Sequence, residues 1–439
     1  MLKKIIAVAA AVLTAVCMLS SCSPSADGTQ KLIAVPKATG DMGEIQRALY
    51  AKCGSSITLR YPRSGENRSA FLLADLDGDG VQEALAFYSV PSAEGINAVH
   101  INVIARTNGE WRSVGDVTTN GSALDRVDVA DISRNKTLSI LVGVEMYSSS
   151  GNQLNIYTFD KGKGLVQHVQ ENYTEYAVCD LMGEGSDQLA LLSLNTSERT
   201  SAVSLYSFNG EAMELRGSAV TDGNISGYAQ VCFGTLAGGK RALFVDANKS
   251  AVSMVTDVIY CADGQLVNPF FDLTVAETQL TQRSITALCT DINGDGVTEI
   301  PFSEILPGYA DKSETDREYL TVWKSFDGQL FNDVLRADFY SDGGYRLEFP
   351  SRWVGNITLV TDKRSRMRSY RVWDPVMQTS TAEVLRIRAY SLTDFEKVDA
   401  EGVVELARND STVWVARIVD SSGEYAIDEA TLKKLFSLI

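Results

Sequence analysis

Histidine is nearly missing from this chain: His100 and His168 are the only two in 439 residues. They lie in separate segments, each within or beside a strand-like run, which disfavours a catalytic triad and a His-ligated zinc site. Paired cysteines are missing too. Seven cysteines occur but no C-x-x-C, so the usual zinc and dithiol redox motifs are excluded. Positive charge is in deficit, with 40 Lys plus Arg against 56 Asp plus Glu and a formal net charge of −16. That balance disfavours nucleic acid and anionic lipid headgroups as general partners. Beyond the N-terminus, no apolar run approaches the ~18 residues that a membrane span requires.

The N-terminus itself reads as an export signal over residues 1–21. Met1-Leu-Lys-Lys4 is basic, Ile5 to Met18 is apolar, and Leu19-Ser-Ser-Cys22 carries the small residues a signal peptidase needs. Leu-Ser-Ser-Cys resembles a bacterial lipobox, which implies lipidation of Cys22 and attachment to the outer face of the membrane at the bacterial cell envelope. Residues 22–40, rich in Ser, Ala, Gly and Thr, read as a flexible tether. Removing residues 1–21 takes away two lysines and no acids, so −16 becomes −18. Setting aside Cys17 in the signal and Cys22 on the lipid leaves Cys53, Cys179, Cys232, Cys261 and Cys289. This odd number in apolar, strand-like contexts reads as buried free thiols, which in an exported protein suits a reducing habitat.

What the chain does have is one acidic loop written twice: Asp75-Leu-Asp-Gly-Asp-Gly-Val-Gln-Glu83 and Asp291-Ile-Asn-Gly-Asp-Gly-Val-Thr-Glu299. Each copy places side-chain oxygens at positions 1, 3, 5 and 9, with glycines at 4 and 6 letting the backbone curl until they converge. Two carboxylates about 4 Å apart repel by roughly 4 kcal/mol at an effective dielectric of 20, so such a cluster calls for a hard cation. Calcium fits. An EF-hand loop shares the opening but needs an acid at position 12, where this chain has Ala86 and Phe302. The flanks are short and apolar, so each loop joins two strands rather than two helices.

Weaker relatives of the loop start at Asp131, Asp180 and near Gly234, giving spacings of 56, 49, 54 and 57 residues from Asp75 to Asp291. A second series of turn dipeptides runs in step with it: Asn108-Gly109, Lys161-Gly162, Asn209-Gly210, Asp263-Gly264 and Asp327-Gly328. Such pairs favour tight hairpins. Each unit therefore holds about four strands, and such a unit repeated predicts a mainly β fold, a β-propeller of about five blades with six or seven left open. The units resemble the FG-GAP/VCBS repeat of integrin-α-type propellers, common in bacterial surface proteins. The resemblance covers about residues 60–340. It implies two Ca2+ sites, one on Asp75, Asp77, Asp79, the Val81 carbonyl and Glu83, the other on Asp291, Asn293, Asp295, the Val297 carbonyl and Glu299. The loops at Asp131, with Ser133 and Asn135, at Asp180, with Met182 in position 3, and near Gly234 read as metal-free turns.

The propeller is expected over 41–340, opening with a short helix at 41–53. A strand at Ile57–Tyr61 is expected to pair with the last blade and close the ring. Residues 341–439 read as a small α+β domain with helices at Glu401–Arg408 and Asp428–Ile439. Lys363, Arg364, Arg366, Arg368, Arg371, Arg386 and Arg388 form a basic strip there, read either as a patch for an anionic partner or as a surface docked on the acidic propeller. Trp111, Trp323, Trp353, Trp373 and Trp414 mostly sit inside strand patterns and read as core. The expectation is a lipid-anchored monomer that recognises an extracellular protein or glycan. No catalytic residues are assigned. A scaffold subunit of an envelope complex and a polysaccharide-acting enzyme are the alternatives.

Overall fold

The computed structural model describes residues 40–91, 97–133, 137–147, 151–399 and 401–439. The expected signal peptide, Cys22, nearly all of the tether and Asn135 lie outside the described residues. The architecture is mainly β, a succession of antiparallel sheets stacked face to face as propeller blades stack.

In the first sheet, Thr58–Leu59 and Phe71–Ala74 lie end to end along one edge of Glu83–Ser89, followed by His100–Thr107 and Glu110–Thr118. The second holds Gly121–Ala130, Ser139–Met146, Asn152–Asp160 and Gly164–Tyr173, the third Glu175–Cys179, Gln188–Asn195, Thr200–Phe208 and Met213–Thr221. The fourth holds Gly227–Thr235, Arg241–Ser250, Ser253–Ala262 and Gln265–Val267. The fifth holds Ile300–Ile305, Tyr319–Phe326, Phe331–Tyr340, Tyr345–Glu348 and Phe436–Leu438. The expected turn dipeptides produce hairpins where the chemistry allows it. Asn108 (φ 53°) with Gly109 (φ 84°), and Asp263 (φ 49°) with Gly264 (φ 77°), take the left-handed conformations that tight hairpins demand.

The second strand of these sheets reads as a continuous apolar run because both its faces are covered. Leu85 and Phe87 pack on Ile140 and Val142 of the second sheet. On the strands' other faces, Leu141 meets Leu189 of the third, and Ala190 and Leu192 meet Leu243 and Val245 of the fourth. Phe244 continues the series to Ile300 and Phe326 of the fifth. The outward face of the first sheet, Ala84, Ala86 and Tyr88, is covered by helix α1 (Asp41–Cys53) through Ile45 and Leu49. That helix carries Asp41 and Glu44 in its first turn and Lys52 in its last, the arrangement its dipole favours. Gly54, at φ 81°, ends it.

Three expectations are corrected. The strand at Ile57–Tyr61 is short, and it pairs with Tyr88–Ser89 of its own sheet instead of closing a ring with the last. Residues 401–408 are not a helix. Val404–Arg408 pairs with Val413–Ala416, because the valines and Leu406 gain more from an adjacent sheet edge than from a short helix started by Gly402. Helix α3 (Glu429–Leu435, following the short α2 at Leu392–Phe395) begins at Asp428, whose side chain accepts from the Thr431 amide at 2.8 Å. It stops before Phe436, where the chain extends and joins the fifth sheet beside Tyr345–Leu347.

The expected boundary at residue 341 thus falls in a hairpin turn, between Phe331–Tyr340 and Tyr345–Glu348. The sixth sheet, of Ile357–Asp362, Met367–Asp374, Thr379–Ser391, Thr412–Ile418 and Val404–Arg408, lays Leu359, Tyr370, Leu385 and Ile387 on Tyr345 and Leu347. Among the described residues no helix is long and apolar enough to cross a membrane. Trp111, Trp323, Trp353 and Trp414 are buried, and the five remaining cysteines are free thiols.

Candidate metal centres

The first acidic loop turns between Phe71–Ala74 and Glu83–Ser89. Gly78 (φ 77°) and Gly80 (φ 86°) supply the left-handed steps that fold the chain back on itself. Asp75 is wrapped by backbone: Oδ1 accepts from the amides of Gly78 (2.9 Å) and Asp79 (3.1 Å), and Oδ2 from Gly80 (2.9 Å). Asp77 and Asp79 each cap an amide two residues on. Glu83 is only 3% exposed, and its Oε2 is pinned by the Leu76 amide at 2.9 Å. Carboxylate oxygens of Asp75, Asp77 and Glu83 all lie within 4.8 Å of one another.

The second loop repeats this bond for bond. Asp291 Oδ1 accepts from Gly294 (2.8 Å) and Asp295 (3.0 Å), and Oδ2 accepts from Gly296 (2.9 Å). Asn293 Oδ1 and Asp295 Oδ1 accept from the amides of Asp295 and Val297, and Glu299 Oε2 from Ile292 at 3.0 Å. Glu299 is fully buried, and its Oε1 has no hydrogen-bond partner among the described residues. Buried carboxylate oxygens are seldom left so, because desolvation without compensation is costly. Burial, reinforced by nearby carboxylates, pushes the pKa of both Glu83 and Glu299 up. An all-oxygen donor set around such a glutamate suits a hard dication. The backbone wrapping comes from amides within each loop, so the turn geometry is set by residues of the loop itself.

The third loop keeps the turn with a different set of partners. Asp180 is wrapped in the same way by the amides of Glu184 and Gly185, both at 2.8 Å. Gln188 stands where the glutamate would be, accepting from the Met182 amide at 3.0 Å. A guanidinium completes the site: Arg241 of the fourth sheet pairs with Asp180 Oδ2 and donates to its carbonyl at 3.0 Å. Against the opposing push of burial, the Gly185 amide and Arg241 hold the Asp180 pKa low. The fourth loop, at Leu236–Lys240, is a plain glycine turn.

Sequence reading missed Arg241 and its counterpart at the first loop, Lys161. The Lys161 ammonium, at the hairpin tip of the second sheet, lies 3.0 Å from Asp77 Oδ2 and 2.5 Å from Asp79 Oδ2. It holds the Asp79 pKa low. One signal was present: Lys161-Gly162 stands where the other repeats have Asn-Gly or Asp-Gly.

The two histidines lie apart, each held by partners of its own sheet or the next. His100 stacks on Tyr88 at 4.9 Å and bonds Asp116 and Thr118 through Nδ1, while His168 Nε2 meets the Thr158 hydroxyl at 2.8 Å. Cys53 donates to the Tyr88 hydroxyl, and burial pushes its thiol pKa up, away from a reactive thiolate.

A cleft of about 550 Å³ opens where the fifth and sixth sheets meet, lined by Tyr309, Tyr319, Tyr340, Arg317, Lys363 and Glu318 among others. Its floor is Arg368, which is buried, pairs with Asp338 and Glu318, and lies 4.0 Å from the Tyr340 ring centre. Arg368 therefore leaves the basic strip and serves as the dock between the two sheets. Arg386 pairs with Glu383, and Arg388 covers Tyr390.

No protein-family profile matches the chain, and no curated protein matches it. Solved structures do. A protein from Lactobacillus plantarum matches at 7% identity and TM-score 0.32, over 72% of this chain and 84% of that one. A putative 6-phosphogluconolactonase from Bacteroides uniformis matches at 12% and 0.28, over 71% and 94%. The exotype rhamnogalacturonan lyase YesX matches at 11% and 0.29, over 83% and 76%. All three likenesses are loose.

Proposed function

We propose that this chain is a lipid-anchored surface protein of the FG-GAP/VCBS type, a calcium-stabilised repeat module that recognises an extracellular protein or glycan. The observation that carries the calcium reading is the second loop. Its bonds match those of the first, and both close on a buried glutamate, that of Glu299 with a free oxygen. Asp75, Asp77, Asp79, the Val81 carbonyl and Glu83 would hold one ion. Asp291, Asn293, Asp295, the Val297 carbonyl and Glu299 would hold the other. When bound, calcium neutralises the crowded carboxylates and braces the first two strands of its sheet; it takes no part in chemistry. The recognition surface favoured here is the cleft between the fifth and sixth sheets, whose tyrosine rings and mixed charges suit a polyhydroxylated ligand.

Catalysis on a polysaccharide is the second reading. The same cleft supports it, with the carboxylates of Glu314, Asp316, Glu318 and Asp342 on its walls. Calcium-dependent turnover of a polysaccharide by the pure protein would replace the binding reading with this one. The calcium reading is tested by thermal melting of the full-length chain. Calcium should raise Tm with affinity in the ~10⁻⁴ to 10⁻³ M range of extracellular modules. Asp75→Ala and Asp291→Ala should each remove part of the gain, and an unchanged response in both would sink the assignment. Capture of an envelope component only with calcium present would extend the reading to recognition.

A further inference from the structure

The second sheet meets the first loop at a fixed point in the repeat. The strand end before each hairpin turn lies against the loop of the preceding sheet. The Phe208 amide of the third sheet donates to Ile132 of the second at 3.4 Å, and the fourth loop's Ala237 donates to Phe326 of the fifth at 2.9 Å. Lys161 occupies the corresponding place between the second sheet and the first loop, and there it touches both solvent-side acids, Asp77 and Asp79. In the third loop the following sheet also supplies a cation, Arg241, and there the glutamate has become Gln188. At the second acidic loop Asn293 Nδ2 instead donates to Asp295 Oδ2 at 2.9 Å, so the polar side chains satisfy each other.

We infer that Lys161 is a tethered competitor for the first calcium loop, holding its affinity below what its four carboxylates would otherwise give because two of them are shared with an ammonium. The inference rests on the calcium reading and deepens it. Metal entering the first loop must either displace the ammonium from Asp77 and Asp79 or bind beside it, at a Coulomb cost to the doubly charged ion. Across ~5 Å of water-like dielectric that cost corresponds to roughly a tenfold weakening, less at high salt. Lys161 is well exposed, so its substitution should leave the fold intact.

The test is calorimetric titration of the full-length chain with calcium chloride. Asp291→Ala isolates the first loop and Asp75→Ala the second. Lys161→Gln on the Asp291→Ala background should tighten calcium binding at the first loop about tenfold at ~0.1 M salt. Lys161→Arg, which keeps the charge, should leave it unchanged. An affinity that Lys161→Gln shifts by less than about twofold overturns the inference while leaving both calcium sites standing. Equal tightening by Arg and Gln overturns it too, because the effect would then be packing. No heat with any variant removes the calcium reading itself and this inference with it.

Discussion

Asp246→Ala tests whether the fourth and fifth sheets are held in register by one buried ion pair. Asp246 lies in Arg241–Ser250, and Arg283 lies on the segment leading to the second acidic loop. Both are buried, at 0% and 1% exposure, with Arg283 Nη2 2.8 Å from Asp246 Oδ1. The remaining valences are met. Arg283 also reaches the Ala287 carbonyl at 2.8 and 3.1 Å and the Thr256 hydroxyl at 2.8 Å. Asp246 takes the Thr256 hydroxyl at 2.5 Å and the Cys289 amide at 2.8 Å. Removing the carboxylate leaves a buried guanidinium with neutral partners only, which costs about 3–5 kcal/mol. At roughly 2 °C per kcal/mol for a large domain, Tm should fall by about 6–10 °C in a calorimeter or by far-UV dichroism.

Arg283→Met alone should cost a similar amount, since it strands the carboxylate. If the residues act as a pair, the double variant should cost about as much as either single variant, because the Cys289 amide, the Ala287 carbonyl and the Thr256 hydroxyl then lose neutral hydrogen bonds but no buried charge is left unpaired. Because Cys289 lies two residues before Asp291, Asp246→Ala should also weaken calcium binding there and spare the first loop. Additive losses, or a loss below about 1 kcal/mol from Asp246→Ala, would refute the reasoning.

Two further outcomes are expected. Burial lowers the His168 pKa, so the fold favours its neutral form. Stability from this group is complete above the unfolded value of about 6.5 and is lost as pH falls through the lower folded value, so His168→Gln should flatten the acid limb of the Tm-versus-pH curve below about 6.5. Phe436, buried and stacked on Tyr345 at 5.3 Å, opens the strand that joins the C-terminus to the fifth sheet. Phe436→Ala should cost about 3–5 kcal/mol by equilibrium unfolding and expose the residues around Tyr345 to proteolysis before the first four sheets. Uniform proteolysis along the chain would argue against that local role.

What was legible in the sequence is what the chain encodes over short distances. The acidic loops are fixed by aspartate side chains capping amides two to five residues away and by glycines at positive φ, so nine residues suffice to write the turn. The tight hairpins at Asn108-Gly109 and Asp263-Gly264 are equally local. The misread elements share a different property, since their conformation was decided by a partner distant in sequence. Residues 404–408 form a strand because the edge of Thr412–Ile418 was open to them, and Phe436–Leu438 leaves its helix because Tyr345–Leu347 offers an edge. Arg368 reads as part of a surface strip until Asp338 and Glu318 arrive from the fifth sheet.

The same division runs through the acidic loops and explains why repeats of one turn need not share one chemistry. The backbone of the loop is self-sufficient, so mutation can change the charge it carries without losing the turn. What the turn then holds depends on the neighbouring sheet: Lys161 facing two acids at the first loop, Arg241 on the lone aspartate at the third. Gln188 stands where the two acidic loops have glutamate, so it adds no charge beyond the one the guanidinium balances, and its Oε1 still accepts from the Met182 amide. At the first and third loops the cradle is thus a two-part device, with its geometry written in nine consecutive residues and its cation supplied by a residue about 60 to 90 positions downstream.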